Sequence, residues 1–217
     1  MSTKAKILQT LKDTGVVAIL RADKAEDLVD VGRALRQGGI RLVEITMTVP
    51  GAIGVIEEAV AALAKEDVLI GAGTVLDAET ARLAILAGAG YIVSPVFRPD
   101  VIATCKRYSV PAMPGAMTPT EILNAWEAGA DVIKVFPAGV GGPQFFRDLK
   151  GPLPQIEMMP TGGVTLQTAP QFIKAGACAI GVGGELAGKG LIAARDFAAI
   201  TKNALQFVAA VKEARKQ

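Results

Sequence analysis

Short apolar runs alternate along the chain with helical patterns, most runs entered through a glycine and left through a polar or glycine-containing turn. The runs are Val16–Leu20, Leu42–Ile45, Val68–Ile70, Tyr91–Val93, Val110–Met113, Val132–Phe136, Ile156–Met159 and Cys178–Val182, eight in all. Ahead of them, residues 4–13 place Ile7, Leu8 and Leu11 at helical spacing, which predicts an amphipathic helix closed by Gly15. Four helix-to-run junctions repeat one phrase: Gln37-Gly38-Gly39-Ile40, Ala87-Gly88-Ala89-Gly90, Ala128-Gly129-Ala130-Asp131 and Ala175-Gly176-Ala177-Cys178. Glycine ends a helix in the left-handed conformation and turns the chain back into a strand, so the repeat is structural. Thr118-Pro119-Thr120-Glu121 reads as a capping box with proline at the first helical position, opening a helix that ends at Gly129. A last helix over Phe197–Lys212, carrying Ile200, Leu205, Phe207, Val208 and Val211, should close the outside of the fold.

Continuous apolar strands separated by helices imply a parallel sheet covered on both faces, hence the α/β class. Eight such units can close as a (β/α)8 TIM barrel or lie open as a doubly wound sheet. No G-x-G-x-x-G fingerprint follows the first run, where Arg21-Ala22-Asp23-Lys24 stands instead, and the barrel is the preferred reading. No linker-like or low-complexity stretch interrupts the alternation, so one domain is expected over residues 1–217, with the N-terminal helix as an addition.

Composition narrows the chemistry. Half of the 217 residues are apolar, enough for a full core. The 23 basic and 21 acidic residues leave a net charge of only +2 with no basic block, so neither nucleic acid nor an anionic membrane is expected as a partner. The apolar runs are too broken for a membrane span, and Met1 to Lys6 lacks a signal-peptide core, which points to a cytoplasmic protein acting on small molecules. Cys105 and Cys178 form no CxxC pair and read as small buried apolar residues. The chain contains no histidine. That excludes Ser-His and Cys-His triads and His-rich zinc sites, leaving proton transfer to Glu, Asp, Lys, Tyr, Cys or water.

Two charges stand inside apolar runs: Lys134 in Asp131-Val132-Ile133-Lys134-Val135-Phe136-Pro137 and Glu44 in Leu42-Val43-Glu44-Ile45-Thr46. A buried ammonium costs several kcal/mol, as a rough figure, unless it meets a carboxylate or gives up its proton. As a free amine it attacks carbonyl carbon to form a Schiff base. Glu44 in the same isolation suits proton exchange with a bound water. The alternatives are a lysine snorkelling to solvent at a strand end, or a purely structural ion pair. In a parallel barrel the reactive groups collect at the strand ends. There the chain places Arg21, Glu44 with Thr46 and Thr48, Thr74, Ser94-Pro95, Pro114-Gly115, Lys134 with Phe136-Pro137, Thr161-Gly162-Gly163 and Gly183-Gly184. The last two phrases follow the seventh and eighth runs, where barrels commonly cradle a phosphate on backbone N–H groups. Arg21 either adds charge to that anion or to a substrate carboxylate, or is a surface arginine.

Seven phrases taken together resemble the 2-keto-3-deoxy-6-phosphogluconate / 4-hydroxy-2-oxoglutarate aldolases. They are Val17-Ala18-Ile19-Leu20-Arg21, Val43-Glu44-Ile45-Thr46, Gly71-Ala72-Gly73-Thr74-Val75, Ile92-Val93-Ser94-Pro95, Met113-Pro114-Gly115, Lys134-Val135-Phe136-Pro137 and Met159-Pro160-Thr161-Gly162-Gly163-Val164. The resemblance implies a (β/α)8 class I aldolase, usually a homotrimer, that cleaves a 2-keto-4-hydroxy acid to pyruvate and an aldehyde without metal or cofactor. It implies Lys134 as the Schiff-base lysine and Glu44 as the proton relay. Thr74 with the Ser94, Pro95 and Thr161 regions would hold the pyruvoyl end beside Phe136, and Gly162, Gly163, Gly183 and Gly184 would receive a terminal phosphate. Two departures stand out. Many members carry an arginine four residues after the glutamate, where this chain has Thr48, so another group such as Arg21 must hold the substrate carboxylate. Glu185, directly after Gly183-Gly184, would compete with a phosphate there and favours an unphosphorylated substrate. The alternatives kept beside this reading are another phosphate-binding barrel lyase or isomerase and a barrel that serves as a non-catalytic assembly subunit.

Overall fold

The computed structural model describes residues 3–21 and 27–216; Ala22, Asp23 and Lys24 of the turn after the first run lie outside these. The strands are β1 (Val16–Leu20), β2 (Leu42–Thr46), β3 (Leu69–Gly73), β4 (Ile92–Val93), β5 (Ala112–Met113), β6 (Gly115–Ala116), β7 (Ile133–Val135), β8 (Met158–Pro160) and β9 (Ile180–Val182). Between them run α2 (Leu28–Gln37), α3 (Ala52–Leu63), α4 (Ala78–Leu86), α5 (Pro99–Arg107), α6 (Pro119–Glu127), α7 (Gly142–Lys150) and α8 (Ala169–Lys174). The chain opens with α1 (Thr3–Thr14) and closes with α9 (Gly184–Ala187), α10 (Lys189–Ala193) and α11 (Phe197–Ala214).

All strand pairs are parallel, in two ladders ordered β5-β4-β3-β2-β1-β9 and β6-β7-β8. The result is an α/β fold built on a curled parallel sheet. The fifth apolar run, Val110–Met113, gives β5, and the pairing resumes as β6 just beyond it because Pro114 stands between them and has no N–H to donate to a ladder. Its carbonyl still accepts from Lys134 N at 2.9 Å, so the chain passes from one ladder to the other within that residue. At the far edges a parallel bridge joins Thr161 to Gly181.

The period-two alternation of each strand separates two cores. Val16, Ala18, Val43, Ile45, Ile133 and Val135 pack outward against the helices. Val17, Leu42, Tyr91, Val93, Met113, Val132, Met159 and Ala179 face inward and pack with Ile7 and Leu11 of α1. That helix therefore covers the end of the sheet at which strands begin. The long helix α11 buries Ile200, Phe207 and Val211, but Leu205, expected on the core face, is 54% exposed and Ala204 packs inward in its place. Cys105 is buried as expected, whereas Cys178 is partly exposed; burial pushes both thiols up to about 12, away from thiolate chemistry. Among the described residues no helix is long and apolar enough to cross a membrane.

The capping box of α6 forms as the sequence predicts. Glu121 N donates to Thr118 Oγ1 at 3.2 Å, and Glu121 Oε2 accepts from Thr118 N and Met117 N, both at 2.9 Å. Those backbone donors hold the Glu121 carboxyl below its usual range, so its contribution to stability is present above the unfolded carboxylate value and fades as pH falls through the depressed one. We expect Thr118→Ala to lower the unfolding free energy by about 1 kcal/mol in urea at neutral pH. The stability difference between wild type and Glu121→Gln should shrink as the titrations are repeated toward about pH 3.

Candidate active site

Lys134 lies at the centre of β7 and Glu44 at the centre of β2, each two residues beyond an inward-facing partner, Val132 and Leu42. Strand alternation therefore turns both side chains into the sheet's concave interior, above the apolar layer that α1 covers. Glu44 is 0% and Lys134 3% exposed, and Lys134 Nζ stands 3.8 Å from Glu44 Oε1. The snorkelling alternative fails on that burial. The pair is close enough for strong attraction, yet the separation exceeds a hydrogen bond, and neither carboxylate oxygen has a hydrogen-bond partner in the protein. Lys134 Nζ also sits 5.4 Å from the centre of the Phe136 ring, within cation–π range. A charge pair this deep with unmet acceptors is costly as structure alone, and it is positioned to exchange protons with whatever enters.

Glycines make the room. A Cβ on Gly73 would fall 1.9 Å from Glu44 Oε1, and one on Gly71, the register partner of Glu44, would fall 2.3 Å from the Tyr91 ring. A Cβ on Gly181 would meet Thr161 Oγ1 at 2.4 Å, and one on Gly115 would meet the Pro95 carbonyl at 2.1 Å. Each inward glycine thus yields its space to a side chain or carbonyl from a neighbouring strand. Sequence reasoning took Gly71-Ala72-Gly73 as a motif and missed Tyr91. The available signal was the glycine spacing of two within a strand, which marks two voids on one face.

At the strand ends opens a cleft of about 310 Å³, lined by Arg21, Phe136, Thr161, Gly162, Gly163, Gly183, Gly184 and Glu185 among others; Ile19, the register partner of Glu44, and Phe136, beside Lys134, border it as well. It brings together seven of the residues predicted for binding, drawn from the ends of β1, β7, β8 and β9. The loops after β7 and β8 are joined by Ala138 N to Thr161 O and Gly139 N to Gly162 O, both 2.8 Å. Gly162 and Gly163 hold φ of +79° and +77°, and a Cβ on Gly163 would lie 2.8 Å from Gly139 Cα. These two positions require glycine for conformation, and Gly163 for close approach as well. Arg21 and Glu185 are exposed at the rim, one positive and one negative. A larger groove, about 730 Å³, lies beside Lys12, Glu157 and Arg215 at the end where strands begin, remote from Lys134 and Glu44.

Thr48, Thr74, Ser94 and Pro95 do not line this cleft and occupy the ends of β2, β3 and β4. Thr48 Oγ1 pairs with Thr46 Oγ1 at 2.7 Å. Ser94 donates its hydroxyl to Val75 O at 2.7 Å and so ties the loop after β3 to β4. Thr74 adopts φ of +60°, a strained setting for a residue with a branched Cβ.

The KDPG and KHG aldolase family model matches residues 7–203. A 2-dehydro-3-deoxy-phosphogluconate aldolase from Treponema pallidum is 40% identical over 170 residues, covering 77% of this chain and 79% of its own length. A 2-dehydro-3-deoxy-6-phosphogalactonate aldolase from Escherichia coli is 34% identical over 203 residues, covering 92% and 95%. Among solved structures, KDPG aldolase from Legionella pneumophila with pyruvate captured at low pH as a covalent carbinolamine intermediate superposes with a TM-score of 0.85 at 25% identity, covering 91% of this chain and 96% of that one.

The glycine packing yields a stability test. Gly71→Ala should cost about 1–3 kcal/mol because the Tyr91 ring must move in a filled interior. Gly54→Ala, in α3 with nothing within 4 Å of an added Cβ, should be neutral or stabilising by about 0.4–1 kcal/mol. Chemical denaturation of the two variants side by side checks both.

Proposed function

Because the chain belongs to the KDPG and KHG aldolase family, we propose that it is a class I aldolase in which Lys134 and Glu44 cleave a 2-keto-4-hydroxy acid reversibly to pyruvate and an aldehyde. One observation carries the assignment of residues: a buried lysine and carboxylate 3.8 Å apart, with both carboxylate oxygens free of hydrogen-bond partners in the protein.

The chemistry follows from those positions. Lys134 Nζ, as the free amine, attacks the C2 carbonyl carbon to give a carbinolamine, and loss of water leaves an iminium. Glu44, acting through a water, takes the proton of the C4 hydroxyl. The C3–C4 bond then breaks, its electron pair moves toward the iminium nitrogen, and the products are an aldehyde and a neutral enamine. Protonation at C3 and hydrolysis release pyruvate and return the free amine. No step calls for a metal or a cofactor, and none calls for a histidine.

Substrate binding is assigned by place. Arg21 at the rim holds the substrate carboxylate in the role that Thr48 cannot fill. Thr161 and Phe136 border the pyruvoyl end, with Thr74, Ser94 and Pro95 bracing the neighbouring strand ends. Gly162, Gly163, Gly183 and Gly184 face the distal end, and Glu185 disfavours a phosphate there. The two ladders are read as one closed (β/α)8 barrel covered by an extra N-terminal helix, supported by the passage through Pro114 and the Thr161–Gly181 bridge. The chain is proposed to form one domain over residues 1–217 and to act in the cytoplasm. A homotrimer is proposed from the family resemblance; exposed Leu83 and Leu86 on α4 and Tyr108 at the end of α5 support self-association, because water-exposed apolar groups on adjacent helices gain from burial against a second copy.

Borohydride reduction in the presence of pyruvate should place a pyruvate adduct on Lys134, read by intact-mass and peptide spectra; absence of adduct across about pH 6 to 9 sinks the proposal. Glu44→Gln should still trap pyruvate slowly while kcat falls by about a hundredfold or more. Glu185→Ser should raise the ratio of kcat/KM for phosphorylated over unphosphorylated keto acid, and an unchanged ratio removes that role for Glu185.

A further inference from the structure

Tyr91 is a tyrosine where a phenylalanine would fill the same space. It belongs to the inward apolar cluster with Val17, Leu42, Val93 and Met113, its residue is wholly buried, and its hydroxyl has no hydrogen-bond partner in the protein. A buried hydroxyl left unpaired is unfavourable, so its presence calls for a partner that the protein alone does not supply. The neighbouring strand shows where that partner lies. Ala72 N donates to Tyr91 O at 3.0 Å, which fixes Tyr91 alongside β3. The tyrosine ring then takes the void over Gly71, and the Glu44 carboxylate takes the void over Gly73, the next position on the same face.

The groups around Glu44 are few. Gly71 and Gly73 of β3 and Ile19 of β1 bring no charge, Lys134 approaches from β7, and Tyr91 rises from the foot of β4. Burial drives the tyrosine hydroxyl well above its ordinary range, and the Glu44 charge drives it further, so it stays a neutral donor throughout the working range of the protein. Two carboxylate acceptors and one hydroxyl donor, all buried, all without a hydrogen-bond partner in the protein and set over alternate glycines of one strand face, lack a direct bond to one another. A single water between them would accept from Tyr91 and donate to Glu44, satisfying the hydroxyl and one acceptor.

We propose that Tyr91 is a positioning residue for Glu44: its hydroxyl, through one internal water, steadies the carboxylate. The inference rests on Glu44 serving as the proton-transfer group. Its importance is greatest in the carbinolamine, where the lysine nitrogen is neutral and no longer offers Glu44 a positive charge.

Tyr91→Phe removes the hydroxyl and keeps the ring, so packing over Gly71 is retained. The water-held donor being lost, the acid limb of kcat against pH should move upward by about half a unit or more. We expect kcat at the optimum to fall about three- to tenfold, KM to stay within about twofold, and the melting temperature to be unchanged or raised. An acid limb superimposable on that of the wild type overturns the inference, as does a loss of kcat that follows a lowered melting temperature with no movement of the limb. Pyruvate trapping on both proteins separates the two levels. If the wild type forms no adduct, the aldolase assignment fails; if both form it and the limbs coincide, only the role of Tyr91 fails.

Discussion

The attraction between a buried ammonium and a buried carboxylate governs this structure. Lys134 and Glu44 are each almost fully removed from water, and either alone would be a severe cost to folding. They are brought within 3.8 Å from strands that are far apart in sequence, one near residue 44 and one near residue 134, and this requires the curled sheet between them. The separation is short enough to offset part of the desolvation and too long to consume the carboxylate's hydrogen-bonding capacity. A tighter pair would be more stable and less able to act on a substrate.

Close packing supplies the second constraint. The interior of a strongly curled sheet has little cross-section, and a polar or aromatic side chain from one strand can enter only where its neighbour carries none. Gly71, Gly73, Gly115 and Gly181 are those neighbours, matched to Tyr91, Glu44, Pro95 and Thr161. The apolar layer beneath, from Val17 to Ala179 with Ile7 and Leu11 of α1, excludes water from below the charge pair. On the other side Phe136 and Ile19, the neighbours of Lys134 and Glu44, border the cleft.

At the rim the physics changes from burial to solvent-screened charge. Arg21 and Glu185 face water, so a charge near them feels only modest, screened electrostatics, unlike the buried pair. In the proposed reading, selection of the distal group is therefore the more adjustable property, while cleavage rests on groups that cannot move without repacking the interior. The paired loops after β7 and β8, held by two backbone bonds and two left-handed glycines, connect the two regimes.

The linear sequence determined the class of fold, because apolar runs alternating with helical periodicity have few packings other than a covered parallel sheet. It also exposed Lys134 and Glu44, since charge within an aliphatic run conflicts with its own local context, and the absence of histidine narrowed the chemistry further. Strand ends were less legible: a run such as Val110–Met113 extends by pattern, but the hydrogen-bond ladder is interrupted at Pro114, and Leu205 fits the helical stripe of α11 yet faces solvent. Tertiary structure alone decided which of the strand-end residues share a cleft, separating Arg21, Phe136, Thr161 and the four glycines from Thr48, Thr74, Ser94 and Pro95. It alone set Tyr91 beside Glu44. Pattern along a chain records which face a residue takes, whereas contact across the interior of a curled sheet depends on register and curvature, which arise only when distant strands pair.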